Sequence, residues 1–143
     1  MDESMFIGRF ERAITSSNII KFPGQWEFMM QSDELFLLPN EKEQAIYVYE
    51  ANRVRENIKN LFEGPSDNKL TIAHLLSKGK FIYIGKNLNI TIPKDMVALI
   101  KPYKEIVFVG LYNHIAIYSK ERYEELTKNL DFENIFKCLS DKD

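Results

Sequence analysis

At 143 residues, 45% hydrophobic and 28% charged, the chain has the size and composition of one globular unit, or of two half-size units sharing a core. An aromatic content of 13% argues against disorder, and no apolar run approaches the ~20 residues of a membrane-spanning helix. A formal net charge of −2 gives the molecule as a whole no electrostatic bias toward nucleic acid, and a single cysteine, Cys138, excludes an intrachain disulfide or a cysteine-cluster zinc site. As a small apolar side chain, Cys138 is expected in the interior. The opening MDESMFIGRF has no long apolar core of a secretory signal, so the expected compartment is the cytoplasm.

In chain order, residues 5–14 read as a strand through bulky Phe6, Phe10 and Ile14, interrupted by Arg9, Glu11 and Arg12. Ser16-Ser17-Asn18 is a turn, and Ile19-Ile20-Lys21-Phe22 a second strand. Pro23 cannot donate into a ladder but suits a first helical turn, so it opens a short helix that packs Trp26, Met29 and Met30 into the core. Strands over 35–38 and 45–49 are joined by a polar loop, 39–44, and followed by a helix over 51–62. Gly64-Pro65-Ser66-Asp67-Asn68 is the best candidate linker, and 70–76 a further short helix with Ile72, Leu75 and Leu76 apolar. Phe81–Ile84 and Ile90–Ile92 are short β-branched and aromatic runs around Gly85-Lys86-Asn87-Leu88-Asn89, a hairpin signal. Residues 93–100 read as a helix burying Met96, Val97 and Ile100 and ended by Pro102. A second strand pair, 106–109 and 115–118, precedes a helix capped by Ser119 that carries Tyr123 and Leu126. The tail places Phe132, Ile135, Phe136 and Leu139 at helical spacing behind an Asp131 cap.

The order strand, strand, helix, strand, strand, helix occurs twice. Pro23 superimposes on Pro93, Ile14 on Ile84, Ile20 on Ile90 and Phe22 on Ile92, a period of about seventy residues. With one residue of drift, Ile46–Arg53 lies on Ile115–Arg122, matching Ile, Tyr and Arg. An internal duplication follows, and with it an α+β, strand-rich fold in which two pseudo-symmetric halves, 5–63 and 80–130, form one unit spanning 1–143. A half of that length, with four short strands, buries too little surface to stand alone. The runs FIYIG and EIVFVG put bulky residues on both strand faces, so one face is covered either by the other half and the helices or by a second subunit.

Charge is unevenly spread. Between Lys69 and Lys104 there are seven lysines and one acid, Asp95, whereas from Glu121 to Asp143 there are seven acids and four basic residues. The lysines either guard strand edges or form a phosphate-binding face. His74 and His114 have no cysteine or paired carboxylate at ligand spacing, Gly85-Lys86 lacks the remainder of a phosphate loop, and Ser16-Ser17 lacks a glycine-rich elbow. No catalytic constellation or cofactor is expected.

The run from Asn89 to Leu126 resembles the C-terminal half of the MraZ family, bacterial regulators built from two AbrB/SpoVT-like halves. Ile92-Pro93, Val109-Gly110, Ile115, Ile117, Tyr118, Glu121, Arg122 and Tyr123 fill the family's places; Ile7-Gly8, the Pro23 helix and Asn60-Leu61-Phe62 resemble its first half more loosely. The resemblance implies a DNA-binding transcriptional regulator, nucleoid-associated, assembled as a homo-oligomer, plausibly a ring, and not an enzyme. Each half of that family carries an Asp, three residues and an Arg ahead of the strand ending in Pro. Here those places hold Thr15 and Ile19, and Gly85 and Asn89. The cations that remain nearby, Arg9, Arg12, Lys21, Lys80, Lys86 and Lys94, are the candidate DNA-binding residues, suited to backbone attraction if they share a face. The alternative is a module that keeps the fold and its assembly surface without specific DNA binding.

Overall fold

The computed structural model describes residues 5–64, 68–100 and 104–141. Pro102 and the middle of the 64–68 linker lie outside the described residues. The elements are β1 (Arg9–Ala13), β2 (Ile19–Lys21), α1 (Gly24–Met29), β3 (Glu34–Asn40), β4 (Ala45–Glu50), α2 (Ala51–Glu63), α3 (Lys69–Leu76), β5 (Lys80–Tyr83), β6 (Asn89–Thr91), α4 (Lys94–Val97), β7 (Glu105–Gly110), β8 (Ile115–Ser119), α5 (Lys120–Leu126) and α6 (Glu133–Ser140). The fold is α+β and strand-rich. Six strands form an antiparallel sheet in the order β1-β7-β8-β4-β3-β5, and β2 pairs with β6 in a separate two-stranded ribbon.

Alternation along the strands sends Leu35, Leu37, Ile46, Val48, Ile106, Phe108, Ile115 and Ile117 to one face, where they meet Ile20, Phe22, Ile90 and Ile92 of the ribbon and Trp26, Met96 and Val97 of the two short helices in one buried cluster. Trp26 is its centre. The rings of Phe6, Phe10, Phe22 and Phe108 lie edge-on to it at 4.9–6.2 Å, and its Nε1 donates to the Ile7 carbonyl at 3.2 Å. The opposite face, with Phe36 and Val107, is covered by α2 against β3 and β4 and by α5 against β7 and β8. Both faces of EIVFVG are therefore buried within the chain, whereas Tyr83 of FIYIG stays exposed.

The sheet order reads the same backwards when β1 is exchanged for β5, β3 for β7 and β4 for β8. Individual bonds follow that exchange. Phe22 N donates to Leu88 O at 2.7 Å and Ile92 N to Asn18 O at 2.8 Å. Arg53 Nη1 donates to the carbonyl of Asn113, in the β7–β8 loop, and Arg122 Nε to that of Glu43, in the β3–β4 loop, both at 3.2 Å. Thus α2 holds the β7–β8 loop and α5 the β3–β4 loop. Ser119 caps α5 as expected, accepting from Arg122 N at 3.1 Å. Gly110 answers a steric demand: residues 6–8 cross it through the Phe6–Tyr112 bridge, and a Cβ there would run into the Phe6 carbonyl.

Four sequence expectations are corrected, the first being Met29, which α1 leaves exposed rather than packed into the core. The runs around Gly85–Asn89 are not a hairpin: β5 pairs with β3 and β6 with β2. The connection closes on itself, with Gly85 N donating to Asn89 O at 2.8 Å and positive φ at Asn87 and Leu88, so it turns a corner that drops Ile84 and Ile90 into the core. Pro39 and Asn40 belong to β3, not to the loop, because β5 pairs with β3 only from Glu34 to Leu37 and leaves the edge beyond it open to a residue without an N–H. Cys138 is exposed on α6 rather than buried.

Two outcomes follow for stability. Trp26→Ala should lower the unfolding free energy by about 3–5 kcal/mol, since it empties an aromatic cluster that cannot collapse onto itself; the urea midpoint measures this. His114 lies stacked on Tyr49 at 5.1 Å and edge-on to Tyr47 at 5.2 Å, and burial holds its imidazole below the usual histidine range. The unfolded chain then takes up this proton first as pH falls. The contribution is complete above the unfolded value of about 6.5 and is lost as pH drops through it toward the lower folded value. Melting temperatures recorded from neutral to mildly acidic pH should show a decline that His114→Phe reduces.

Candidate nucleic-acid interface

The ribbon turns Ile20 and Ile90 inward and leaves Lys21, Asn89 and Thr91 exposed. Its two entry turns are built alike. Thr15 N donates to Ile19 O at 3.0 Å, as Gly85 N does to Asn89 O, and Asn18 and Leu88 both take φ of 65°. In the first turn the Thr15 hydroxyl accepts from Ser17 N at 3.2 Å and Ile19 N at 3.0 Å, satisfying two amides as a short acidic side chain at that place would. Gly85 has no side chain to do so, and its turn is closed by a 3-10 segment, Lys86–Leu88, through Leu88 N to Gly85 O at 3.2 Å.

The structure separates the six candidate cations. Lys21 pairs with Asn89 at one end of the ribbon, where Lys86 lies in the adjoining turn. Arg12 reaches the same end, its Nε donating to Lys21 O at 3.2 Å. Lys94 begins α4 beyond Thr91, at the ribbon's other end. Arg9 stands apart: strand alternation puts it with Glu11 on the opposite face of β1 from Arg12, bonded to Glu11 at 2.7 Å and lying 5.7 Å from the Tyr123 ring. That bond, and after it Lys120, holds the Glu11 carboxyl below its ordinary value, so Arg9 is largely compensated. Lys80 is on β5, the far edge strand from β1.

Residues 14–24 and 84–94 contain no Asp or Glu, so Lys21 and Lys86 stand in acid-free stretches on a chain of net charge −2, while Lys94 is followed directly by Asp95 in α4. Sequence reading counted lysines over a longer window and passed over the exposed Asn89, Thr91, Ser17 and Asn87, which supply hydrogen-bonding groups between them. The signal available was the matched pair of acid-free windows, one period apart. Such a surface can hold a polyanion by backbone contacts, and its arginine, Arg12, already spends Nε on the Lys21 carbonyl and Nη1 on the Glu11 carbonyl.

A strand-rich α+β body crossed by a two-stranded ribbon, with proline-opened helices beneath it, is the class of fold that the AbrB/SpoVT-like resemblance implies. No protein-family model matches the chain. It is 28% identical over 141 residues to the transcriptional regulator MraZ of Clostridium tetani, covering 96% of this chain and 98% of that protein. Similar proteins of the same name from Caldanaerobacter subterraneus subsp. tengcongensis and Pediococcus pentosaceus are each 27% identical, over 140 and 142 residues, covering 94% and 96% of this chain and 96% and 98% of theirs. Over almost its whole length the chain is thus similar to proteins named transcriptional regulator MraZ. Among the described residues no helix is long and apolar enough to cross a membrane.

The Thr15 hydroxyl is the side chain on which the first turn closes. Thr15→Val keeps its shape and removes the acceptor, and should cost about 1 kcal/mol by urea unfolding, with faster amide exchange at Ile19. An unchanged midpoint and unchanged exchange would show that the two amide bonds are dispensable.

Proposed function

We propose that this chain is a transcriptional regulator that binds DNA as a homo-oligomer through the β2–β6 ribbon, mainly by phosphate contacts from Lys21, Lys86 and Lys94 with Arg12 behind them. It acts in the cytoplasm, associated with the nucleoid. The observation that carries this reading is the acid-free, lysine-bearing ribbon on an otherwise acidic chain, and the names of the MraZ relatives support it. We further propose one unit of two duplicated halves, 5–63 and 80–130, on the strength of the reciprocal pairing and the Arg53 and Arg122 bonds. Lysine is a compact, strongly hydrated charge that suits phosphate oxygens, so each contact is weak and salt-sensitive. Repetition around an oligomer raises the apparent affinity without improving any single contact.

A second reading is favoured by a specific observation. Thr15, Ile19, Gly85 and Asn89 occupy the places of the family's Asp/Arg pairs, so the signature places themselves hold no guanidinium for a bidentate base contact worth ~1–3 kcal/mol. On that reading the chain is a protein-interaction module that keeps the fold without specific DNA binding.

A titration against the region upstream of its own gene and against a scrambled duplex, at several salt concentrations, separates the two. The regulator reading expects binding that weakens steeply with salt, and the Lys86→Ala, Lys94→Ala double variant should reduce the logarithmic salt slope by about two while weakening both duplexes alike. A strong preference for the native duplex that survives the double variant would place specificity elsewhere. No binding even at low salt would leave the module reading standing.

A further inference from the structure

We infer that α6 of one copy docks on α3 of the next copy, a head-to-tail contact that rests on the oligomeric reading above. Every residue of α6 is exposed, although Phe132, Ile135, Phe136 and Leu139 form one continuous apolar stripe along the helix and its N-terminal cap. Helices shorter than ~12–15 residues are marginal in water without tertiary packing, so an eight-residue helix with this stripe calls for a surface that covers it. No residue of α3 is buried either, and its Leu70 is 82% exposed. α3 touches α2 but is apolar over much of its circumference, through Leu70, Ile72, Ala73, Leu75 and Leu76, and one neighbour cannot cover all of it.

Charge selects the pairing. The α3 region, residues 69–80, carries Lys69, Lys78 and Lys80 and no acid. The α6 stripe is framed by Asp131, Glu133 and Asp141, with Lys137 as the only cation on the helix. The acidic frame opposes an anionic membrane surface, where interfacial helices are rich in Lys and Arg, and it opposes α6 packing on a second α6. It complements α3. The two helices also hold corresponding places in the chain, α3 following α2 and α6 following α5. A contact between two different surfaces of identical subunits is heterologous: it propagates from copy to copy and closes into a ring when the rotation allows, rather than stopping at a dimer.

The test uses two variants of the full chain and a measurement of mass by light scattering. One spoils the α6 stripe (Phe136→Asp, Leu139→Asp) and the other spoils α3 (Leu70→Asp, Leu75→Asp); all four side chains are exposed, and melting curves verify that the body stays folded. Each variant alone should fall to the mass of one chain. Mixed in equal amounts they should give complexes of two chains and no larger, because only one intact α6 can meet one intact α3. As a second arm independent of the apolar changes, Lys69→Glu with Lys78→Glu should weaken assembly, as should Glu133→Lys with Asp141→Lys. Combining the four should restore it. Dimers of the α3 variant by itself would mean that α6 pairs with α6, and unchanged mass in both variants would place the assembly contact on other surfaces; either result overturns this inference and leaves the oligomer standing. A wild-type chain that is monomeric over a wide concentration range removes the oligomeric reading itself, and α6 packing with it.

Discussion

The pairing of Ile20 with Ile90 is the constraint on which the molecule turns. A three-residue strand is too short to hold a partner by its own ladder, and two such strands make a ribbon that is stable only when its inner side chains are anchored. Both isoleucines are buried, beside Phe22 and Ile92, in the cluster that also holds the inner face of the six-stranded sheet. The ribbon takes β2 from early in the chain and β6 from late in it, so these distant stretches share one core. The same dependence appears in the sheet, where β4 and β8 meet at the centre through Tyr47 opposite Ala116.

Anchoring the ribbon from below also determines what it shows outward. Strand alternation that drives Ile20 and Ile90 in turns Lys21, Asn89 and Thr91 out, and the entry turns add exposed Ser17 beside the Ile19–Thr91 end and exposed Lys86 and Asn87 beside the Lys21–Asn89 end. The cationic character of this surface comes less from many basic residues than from the absence of acids around them. Several cations elsewhere are answered locally: Arg9 by Glu11, Arg55 by Glu34 at 2.9 Å, and Lys120 by Glu11 and Glu105. Compensated charges contribute little field at a distance, whereas Lys21 and Lys86 face solvent without a carboxylate in their own segments.

Apolar surface is distributed with the same asymmetry. The sheet's two faces are covered by the ribbon with α1 and α4 on one side and by α2 and α5 on the other, so the body leaves little of its sheet for a partner. Uncovered apolar side chains are concentrated on the appended helices α3 and α6, with others at Ile7, Phe28, Leu61, Tyr83 and Tyr112. Interaction surface and nucleic-acid candidate therefore occupy different parts of the molecule, and a copy engaged through its appended helices can still present its ribbon.

Most of the element order was legible in the sequence, because short β-branched runs, prolines at first helical turns and the Ser119 cap act locally. The resemblance carried by Val109-Gly110 and the Tyr118–Tyr123 segment was legible for the same reason. Partner choice was not. Gly85–Asn89 has the composition of a hairpin turn, yet β5 leaves for β3 and β6 for β2, since pairing depends on which distant strand shares a buried face and the local residues permit either course. Nor could charge counting separate Arg9 from Arg12, three positions apart on one strand; alternation and the Glu11 bond send the first away from the ribbon, while the second reaches Lys21. Residue identity decided which segments become strands and helices, and the tertiary structure alone decided which of their side chains meet, because that depends on long-range packing rather than on neighbours in sequence.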